Sequence, residues 1–151
     1  MKNSKKVVIK LGSSLLTNSR GGVNKSVLKN VVEDIVWLLN LQKEVIVVSS
    51  GAISLGRGRL NINHGLTLNE SQAVAASGQI ELMTAWKNEF KKYKKHVAQI
   101  LLSPSDIKNK KSSKNAMATL ENLWNFNCVP IINENDTTSR PSHFCIYTDI
   151  D

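Results

Sequence analysis

The sequence predicts an α/β fold in which a parallel β-sheet is covered by helices on both faces. Short apolar runs rich in β-branched residues alternate with longer segments whose apolar residues recur at helical spacing. The first strand, helix and strand fit within residues 6–48, and such a βαβ crossover implies parallel strands buried on both sides. The predicted strands also end in glycine, hydroxyl or other polar residues, which predicts a ligand site at one edge of the sheet.

The first predicted strand begins at Lys6 and breaks at Gly12 into small hydroxyl residues. Lys10 lies two residues before that glycine, so its ammonium group emerges where the strand ends. A glycine at this position lets backbone N–H groups approach an anion, and a following helix adds its positive end. The segment fits a phosphate site, and it equally fits a strand that ends in an exposed lysine and a turn, because neither common nucleotide-binding fingerprint is present.

A helix and a second strand follow. Asn24 is placed to cap a helix whose apolar positions recur at helical spacing through Leu39, and residues 45–48 form the second strand. This strand ends in Ser49, Ser50 and Gly51, so hydroxyl groups and a glycine again stand at a carboxyl end. Two strands of one parallel sheet therefore present the same chemistry to one crevice.

The middle of the chain predicts a loop and a long helix. Residues 56–68 are polar and irregular, which predicts a loop, and Asn69 with Gln72 has the spacing of a capping box. The helix that follows extends to Phe90. Its small residues at 75–78 allow close approach of another backbone, with helix packing as the first explanation and a ligand or a subunit partner as the alternative.

The last part of the chain adds two strands. Residues 97–102 form the third strand, and residues 107–114 are a possible linker before another helix. The fourth strand covers residues 128–132, and Pro130 predicts that this strand lies near an edge or joins the sheet there, because proline has no N–H group to donate. It ends in a polar segment that contains Asn133, Glu134 and Asp136.

The predicted carboxyl edge combines three kinds of group. Lys10 with the N–H groups near Gly12 suits an anion, and Ser50 with Gly51 adds a hydroxyl and an amide. The carboxylates of the fourth strand can accept an ammonium group or, less directly, serve Mg²⁺. A zwitterionic amino acid together with a phosphate donor matches this set.

Composition and charge narrow the function classes. The chain has 151 residues, of which 41% are hydrophobic and 21% charged, as is typical of one soluble globular domain. A net charge of +8 suggests nucleic-acid binding, but only four of the twenty basic residues are Arg, the better reader of phosphates and bases, so the composition argues against it. Cys128 and Cys145 show neither metal-ligand spacing nor a disulfide framework.

Two observations predict a cytoplasmic protein with no membrane partner. No apolar run approaches the length that crosses a bilayer. The first residues lead into a strand rather than into the apolar segment of a signal peptide.

Five segments, in the same order, resemble the glutamate 5-kinase branch of the amino acid kinase family. They are Lys-Leu-Gly-Ser-Ser-Leu-Leu-Thr at 10–17, Val-Ser-Ser-Gly-Ala-Ile at 48–53, Gln-Ala-Val-Ala-Ala-Ser-Gly-Gln at 72–79, Gln-Ile-Leu-Leu at 99–102 and Val-Pro-Ile-Ile-Asn-Glu-Asn-Asp at 129–136. The resemblance implies a three-layer αβα sandwich with an open, mostly parallel sheet. It also implies ATP-dependent phosphorylation of the γ-carboxylate of L-glutamate to γ-glutamyl phosphate, the first step of proline biosynthesis.

The same resemblance assigns roles to individual residues. Lys10 would contact the ATP phosphates and offset charge during transfer, and Gly12 would shape the adjacent loop. Ser50 would bind glutamate, and Asp136 would hold its ammonium group. Mg²⁺ would accompany ATP with no metal-ligating side chain assigned, and the family implies a homo-oligomer.

The resemblance weakens toward the end of the sequence. We predict that residues 1–138 are the N-terminal half of a kinase domain and that residues 139–151 are a diverged tail. Asp149 and Asp151 align with a substrate motif of the family, but Ile150 stands where its binding asparagine would be. The rest of the nucleotide site is expected from a missing C-terminal half. The alternatives are a non-catalytic module that binds glutamate or oligomerises, and a basic nucleic-acid-binding domain.

Overall fold

The computed structural model describes residues 4–136 and contains a four-stranded parallel sheet at its centre. The strands are β1 (Lys6–Leu11), β2 (Glu44–Ser49), β3 (His96–Leu102) and β4 (Cys128–Glu134), in the spatial order β1-β2-β4-β3. Leu11 pairs with Ser49, and Leu102 pairs with Glu134. The carboxyl ends of all four strands therefore meet at one edge, as the strand endings predict.

Helices cover both faces of this sheet. They are α1 (Ser13–Leu16), α2 (Lys25–Asn40), α3 (Ala52–Leu60), α4 (Leu68–Lys91), α5 (Pro104–Lys108) and α6 (Lys110–Asn125). Side chains from α2 and α4, among them Ile35 and Trp86, pack with Val47 of β2 in the larger core. On the opposite face, Leu120 of α6 packs against Ile46 in a smaller core. Successive residues of β2 thus face opposite layers, and the predicted αβα sandwich is confirmed.

Pro130 lies in an interior strand, because β4 has β2 on one side and β3 on the other. The prediction of an edge strand is therefore wrong, whereas the alternative, that the strand joins the sheet there, fits the pairing. Pro130 pairs with Ala98 of β3, and the pairing with β2 begins one residue later, at Ile131. Proline, which has no N–H group to donate, therefore lies just before the pairing of β4 with β2 begins.

The loop predicted at 56–68 is wrong for residues 56–60, which belong to helix α3, and is confirmed for residues 61–67. Gly56 and Gly58 have low helix propensity, and they made this segment resemble a loop. The two glycines are needed where other parts of the chain pack closely against α3. A Cβ atom at Gly56 would overlap the backbone of Val74 in α4, and one at Gly58 would overlap the backbone of Gly21. Contacts with residues distant in sequence therefore stabilise the helix at 56–60.

The small residues of α4 serve helix packing, as predicted. A Cβ atom at Gly78 would overlap the carbonyl oxygen of Ala52 and the backbone nitrogen of Gly56. Helices α3 and α4 therefore cross with their backbones in direct contact. Since Ala52 is the first residue of α3, this contact also fixes α4 relative to the end of β2.

Two helix boundaries differ from the predictions. The capping box of α4 is formed by Thr67 and Glu70, not by Asn69 and Gln72, although the spacing is the same. Residues 107–114 are helical for most of their length, because a capping box of Ser103 and Asp106 begins α5 and Asn109 caps α6. The cap at Asn24 is confirmed, since its side chain accepts a hydrogen bond from the N–H group of Val27.

None of the helices within residues 4–136 combines the length and the apolar character needed to cross a membrane.

Candidate functional site

The described part of the site lies at the carboxyl ends of three adjacent strands. Lys10 is the penultimate residue of β1, Ser50 follows β2, and Asp136 follows the end of β4 by two residues. Because the order is β1-β2-β4, a cation, a hydroxyl group and a carboxylate succeed one another along one edge. The structure thus brings the predicted residues to the same edge. The tail at 139–151, with Asp149 and Asp151, lies outside the described residues.

The first turn suits the approach of an anion. Lys10 is exposed, and Gly12 is the N-cap of α1. Beyond its chain neighbours, the nearest atom to a Cβ atom at Gly12 would be Ser14 Oγ at 4.0 Å, so the space in front of the backbone is open. Helix α1 has only four residues, so its dipole adds little. The positive potential comes from Lys10 and from the N–H groups at the start of α1, since those of Leu15 and Leu16 already donate to the carbonyl oxygen of Gly12.

The second turn packs against the first. The N–H group of Ser50 donates to the carbonyl oxygen of Leu11 over 3.1 Å. Gly51 has a φ of +117°, which a residue with a side chain adopts only with strain, and its Cβ position is 3.3 Å from Thr17 Cγ2. Ser54 Oγ donates to Thr17 Oγ1 over 3.1 Å. These contacts hold the Ser50 turn and the Gly12 turn together as one unit.

The adjacent serines Ser49 and Ser50 have different environments. Ser49 is 1% exposed, and its Oγ accepts a hydrogen bond from Trp86 Nε1 over 3.0 Å. Ser50 is half-buried and follows the strand. Ser49 therefore anchors α4 to the sheet, and Ser50 is the serine available to a ligand.

We expect Ser49→Ala to lower the free energy of unfolding by about 1–3 kcal/mol, because it leaves the buried N–H group of Trp86 without an acceptor. Ser50→Ala should change the same quantity by less than about 0.5 kcal/mol. Urea unfolding followed by tryptophan fluorescence measures both variants. Equal losses would contradict the division of roles between the two serines.

The end of β4 supplies the acidic side of the site. Asp136 is half-buried, and burial raises the pKa of its carboxyl group, with a further contribution from the negative charge of Glu134. Such a carboxylate is well placed to gain from a cationic partner, since a bound ammonium group would offset the cost of its ionisation. This is the chemistry predicted for Asp136.

Sequence reasoning missed a link between α4 and β4. Asn133 Nδ2 donates to Gln79 Oε1 over 2.7 Å, and Asn133 Oδ1 accepts from the N–H group of Glu134 over 2.9 Å. Gln79 is one helical turn beyond the buried residue Ala75 and next to Gly78, and this spacing places it on the inward face of α4. The sequence pattern does not show which strand that face meets.

Within residues 4–136, no group of three or more His, Cys, Asp or Glu side chains is arranged to hold a metal ion. The carboxylates near the site in this part of the chain are Glu134 and Asp136.

The chain is similar to several known proteins. The profile of the family described as the amino acid kinase family matches residues 5–150. The chain is 45% identical over 138 residues to the glutamate 5-kinase of Pelagibacter ubique. The matched region covers 91% of this chain and 38% of that protein. It is 44% identical over 140 residues to the glutamate 5-kinase of Nitrosospira multiformis, covering 92% and 38%.

A third relative, glutamate 5-kinase 1 of Rhizobium meliloti, is 46% identical over 140 residues, covering 92% of this chain and 36% of the relative. The chain thus spans less than two fifths of the length of these relatives. Among solved structures, the UMP kinase of Bacillus anthracis superposes with a TM-score of 0.59 at 19% identity, covering 91% of this chain and 55% of that one. This likeness supports the fold alone.

Proposed function

The chain belongs to the amino acid kinase family, and from this premise we propose that it carries the phosphate-contacting and glutamate-contacting residues for ATP-dependent phosphorylation of the γ-carboxylate of L-glutamate. One observation supports this most strongly. Lys10, Ser50 and Asp136 lie at or just after the carboxyl ends of three adjacent parallel strands, in the order cation, hydroxyl, carboxylate. The relatives named glutamate 5-kinase favour glutamate as the acceptor.

The proposed reaction needs charge stabilisation more than proton transfer. An oxygen of the γ-carboxylate forms a bond to the γ-phosphorus of ATP while the bond from that phosphorus to the bridging oxygen breaks, and ADP leaves. The carboxylate is already ionised, so no general base is needed. The protein has to bring two anions together and stabilise the charge on the transferring group.

Lys10 and the Gly12 turn would perform that part. The Lys10 ammonium group would contact the phosphates and offset the negative charge that develops in the transition state. The open space at Gly12 would let the N–H groups of the same turn reach the phosphate oxygens. Mg²⁺ bound to ATP would supply further positive charge at the phosphates.

Ser50 and Asp136 would orient the acceptor. The hydroxyl group of Ser50 would donate a hydrogen bond to a glutamate carboxylate, and Asp136 would accept from the ammonium group. The two turns at the ends of β1 and β2 are in contact through Ser50 and Leu11, so the acceptor and the phosphates would meet at that junction.

We further propose a partner. A homo-oligomer, or a second chain or segment that corresponds to the remaining length of the relatives, would supply the rest of the nucleotide site. Glutamate binding without turnover is the second candidate function, because both residues assigned to glutamate lie within the described residues. It uses the same Ser50 and Asp136, so binding and ADP formation must be measured separately.

We expect Asp136→Asn to weaken L-glutamate binding by about 10- to 150-fold, the value of one hydrogen bond between charged groups. The affinity of the unmodified chain should fall as pH falls, because a protonated Asp136 no longer pairs with ammonium. The raised pKa of Asp136 places this loss at a higher pH than for an ordinary aspartate.

Calorimetric titration of both proteins across pH 4–7 measures this difference. Asp136→Asn serves as the control for the titration of glutamate itself, because the ligand is the same in both series. Equal affinities, or the same pH profile in both proteins, would show that Asp136 does not hold the ammonium group.

A further inference from the structure

Gln79 occupies a position between the two sides of the substrate site. It follows Gly78, whose Cα atom packs directly on the backbone of Ala52 at the start of α3. Ala52 comes two residues after Ser50. No side chain separates the two helices there, so the backbone of α4 at Gln79 is held at a fixed distance from the Ser50 turn.

The hydrogen bonds of Asn133 determine how Gln79 is oriented. Asn133 Oδ1 is the atom that accepts from the N–H group of Glu134, because a backbone N–H group only donates. Asn133 Nδ2 must then be the donor toward α4, and Gln79 must present Oε1 to it. The two amides therefore have only one arrangement that satisfies both bonds.

This orientation has a cost. Gln79 Nε2 is buried and has no hydrogen-bond partner within the described residues. A buried amide donor without a partner is unfavourable. An apolar side chain could fill the same space without placing such a donor there. The hydrogen bond from Asn133 to Gln79 Oε1 offsets part of this cost.

The bond continues toward the acidic side of the site. Asn133 is 6% exposed, and its contact with the N–H group of Glu134 fixes the backbone where β4 ends, two residues before Asp136. The link consists of neutral amides, so it adds no charge that would compete with Asp136 for an ammonium group. Through it, α4 connects the Ser50 side to the Asp136 side.

We infer that Gln79 is a positioning residue that, through Asn133, sets the separation between Ser50 and Asp136 and thereby selects the length of the acidic amino acid. This inference rests on the proposed function. A substrate held by its ammonium group at Asp136 and by its side-chain carboxylate at Ser50 must match that separation. L-glutamate and L-aspartate differ by one methylene group, so the ratio of their affinities reports the separation between Ser50 and Asp136.

The test is the affinity of the purified chain for L-glutamate and L-aspartate, measured by calorimetry. Gln79→Met keeps the length of the side chain and removes the acceptor. We expect it to weaken L-glutamate binding by about five- to tenfold, near the net value of one hydrogen bond, and to reduce the preference for L-glutamate over L-aspartate. Gln99→Met is the matched control, because Gln99 is exposed on β3 and should leave both affinities unchanged.

A double-mutant cycle separates positioning from packing. If Gln79 acts through Asn133, then adding Gln79→Met to Asn133→Ala should change the L-glutamate affinity by less than about twofold. A residue that only packs would give additive losses. Thermal unfolding verifies that each variant is folded, and Gln79→Leu replaces Gln79→Met if the latter is not.

The outcomes distinguish this inference from the proposed function. No L-glutamate binding by the folded, unmodified chain would overturn the proposed function and this inference with it. Binding by the unmodified chain with an unchanged affinity in Gln79→Met, with additive losses in the cycle or with an equal loss in Gln99→Met would overturn the role of Gln79 alone.

Discussion

Replacing Lys10 with alanine is expected to reduce glutamate-dependent ADP formation by at least about a hundredfold, because it removes a preorganised positive charge from the site of phosphoryl transfer. Lys10 is the only lysine among the residues assigned to the carboxyl edge in the described part of the chain. The N–H groups near Gly12 would remain, but they are dipoles and do not replace a full charge. The assay measures ADP release with ATP and Mg²⁺, with and without L-glutamate.

Lys6 provides a matched control on the same strand. It lies four residues earlier on the same face of β1, with Nζ 5.6 Å from the centre of the Trp124 ring, at the opposite end from the site. Lys6→Ala removes the same charge from the same strand, and we expect it to leave turnover within about twofold, since Lys6 lies at the end of β1 opposite the site. A measurable turnover in the unmodified chain that is unchanged in Lys10→Ala would contradict the role given to Lys10.

Gly78→Ala is expected to destabilise the fold by about 3 kcal/mol, at the upper end for overpacking, because the added methyl group meets backbone atoms that cannot rotate away. The atoms concerned are the carbonyl oxygen of Ala52 and the nitrogen of Gly56. For a domain of this size, such a loss corresponds to a fall of about 10 °C in the unfolding temperature. Differential scanning calorimetry measures it.

Gly65→Ala is the control for Gly78→Ala. A Cβ atom at Gly65 would have no neighbour within 4 Å, so the substitution adds a methyl group to open space. Its unfolding temperature should stay within about 2 °C of that of the unmodified chain. An unfolding temperature of Gly78→Ala as high as that of Gly65→Ala would show that the helices do not cross in backbone contact.

The strands were predictable because burial on both faces leaves a simple pattern. Val45 to Val48 form a continuous apolar run, and the structure buries all four residues between two helical layers. The placement of Lys10, Ser50 and Asp136 at one edge followed from the rule that parallel strands share their carboxyl edge. Neither step needs knowledge of contacts distant in sequence.

Helix α3 was not predictable from local pattern. Gly56 and Gly58 weaken the helix locally, and the contacts that require them are made with Val74 and Gly21, which are distant in sequence. The start of α4 was misplaced for a different reason. Thr67 with Glu70 and Asn69 with Gln72 have the same spacing, so the sequence alone does not decide between the two caps.

The link from Gln79 to Asn133 joins residues 54 positions apart in the sequence. It depends on which face of α4 meets which strand, and helical periodicity alone specifies only that the face is inward. The part of the site that depends on strand ends was therefore predictable, and the part that depends on the packing of a helix on the sheet was not.

Calorimetric titration with L-glutamate tests most directly whether the carboxyl edge of the sheet is a glutamate site. The purified, folded chain is compared with Ser50→Ala and Asp136→Asn. We expect saturable binding by the unmodified chain and a loss of affinity of about tenfold or more in each variant. A folded chain that does not bind L-glutamate, or that binds it equally well in both variants, would contradict the assignment of this edge of the sheet as a glutamate site.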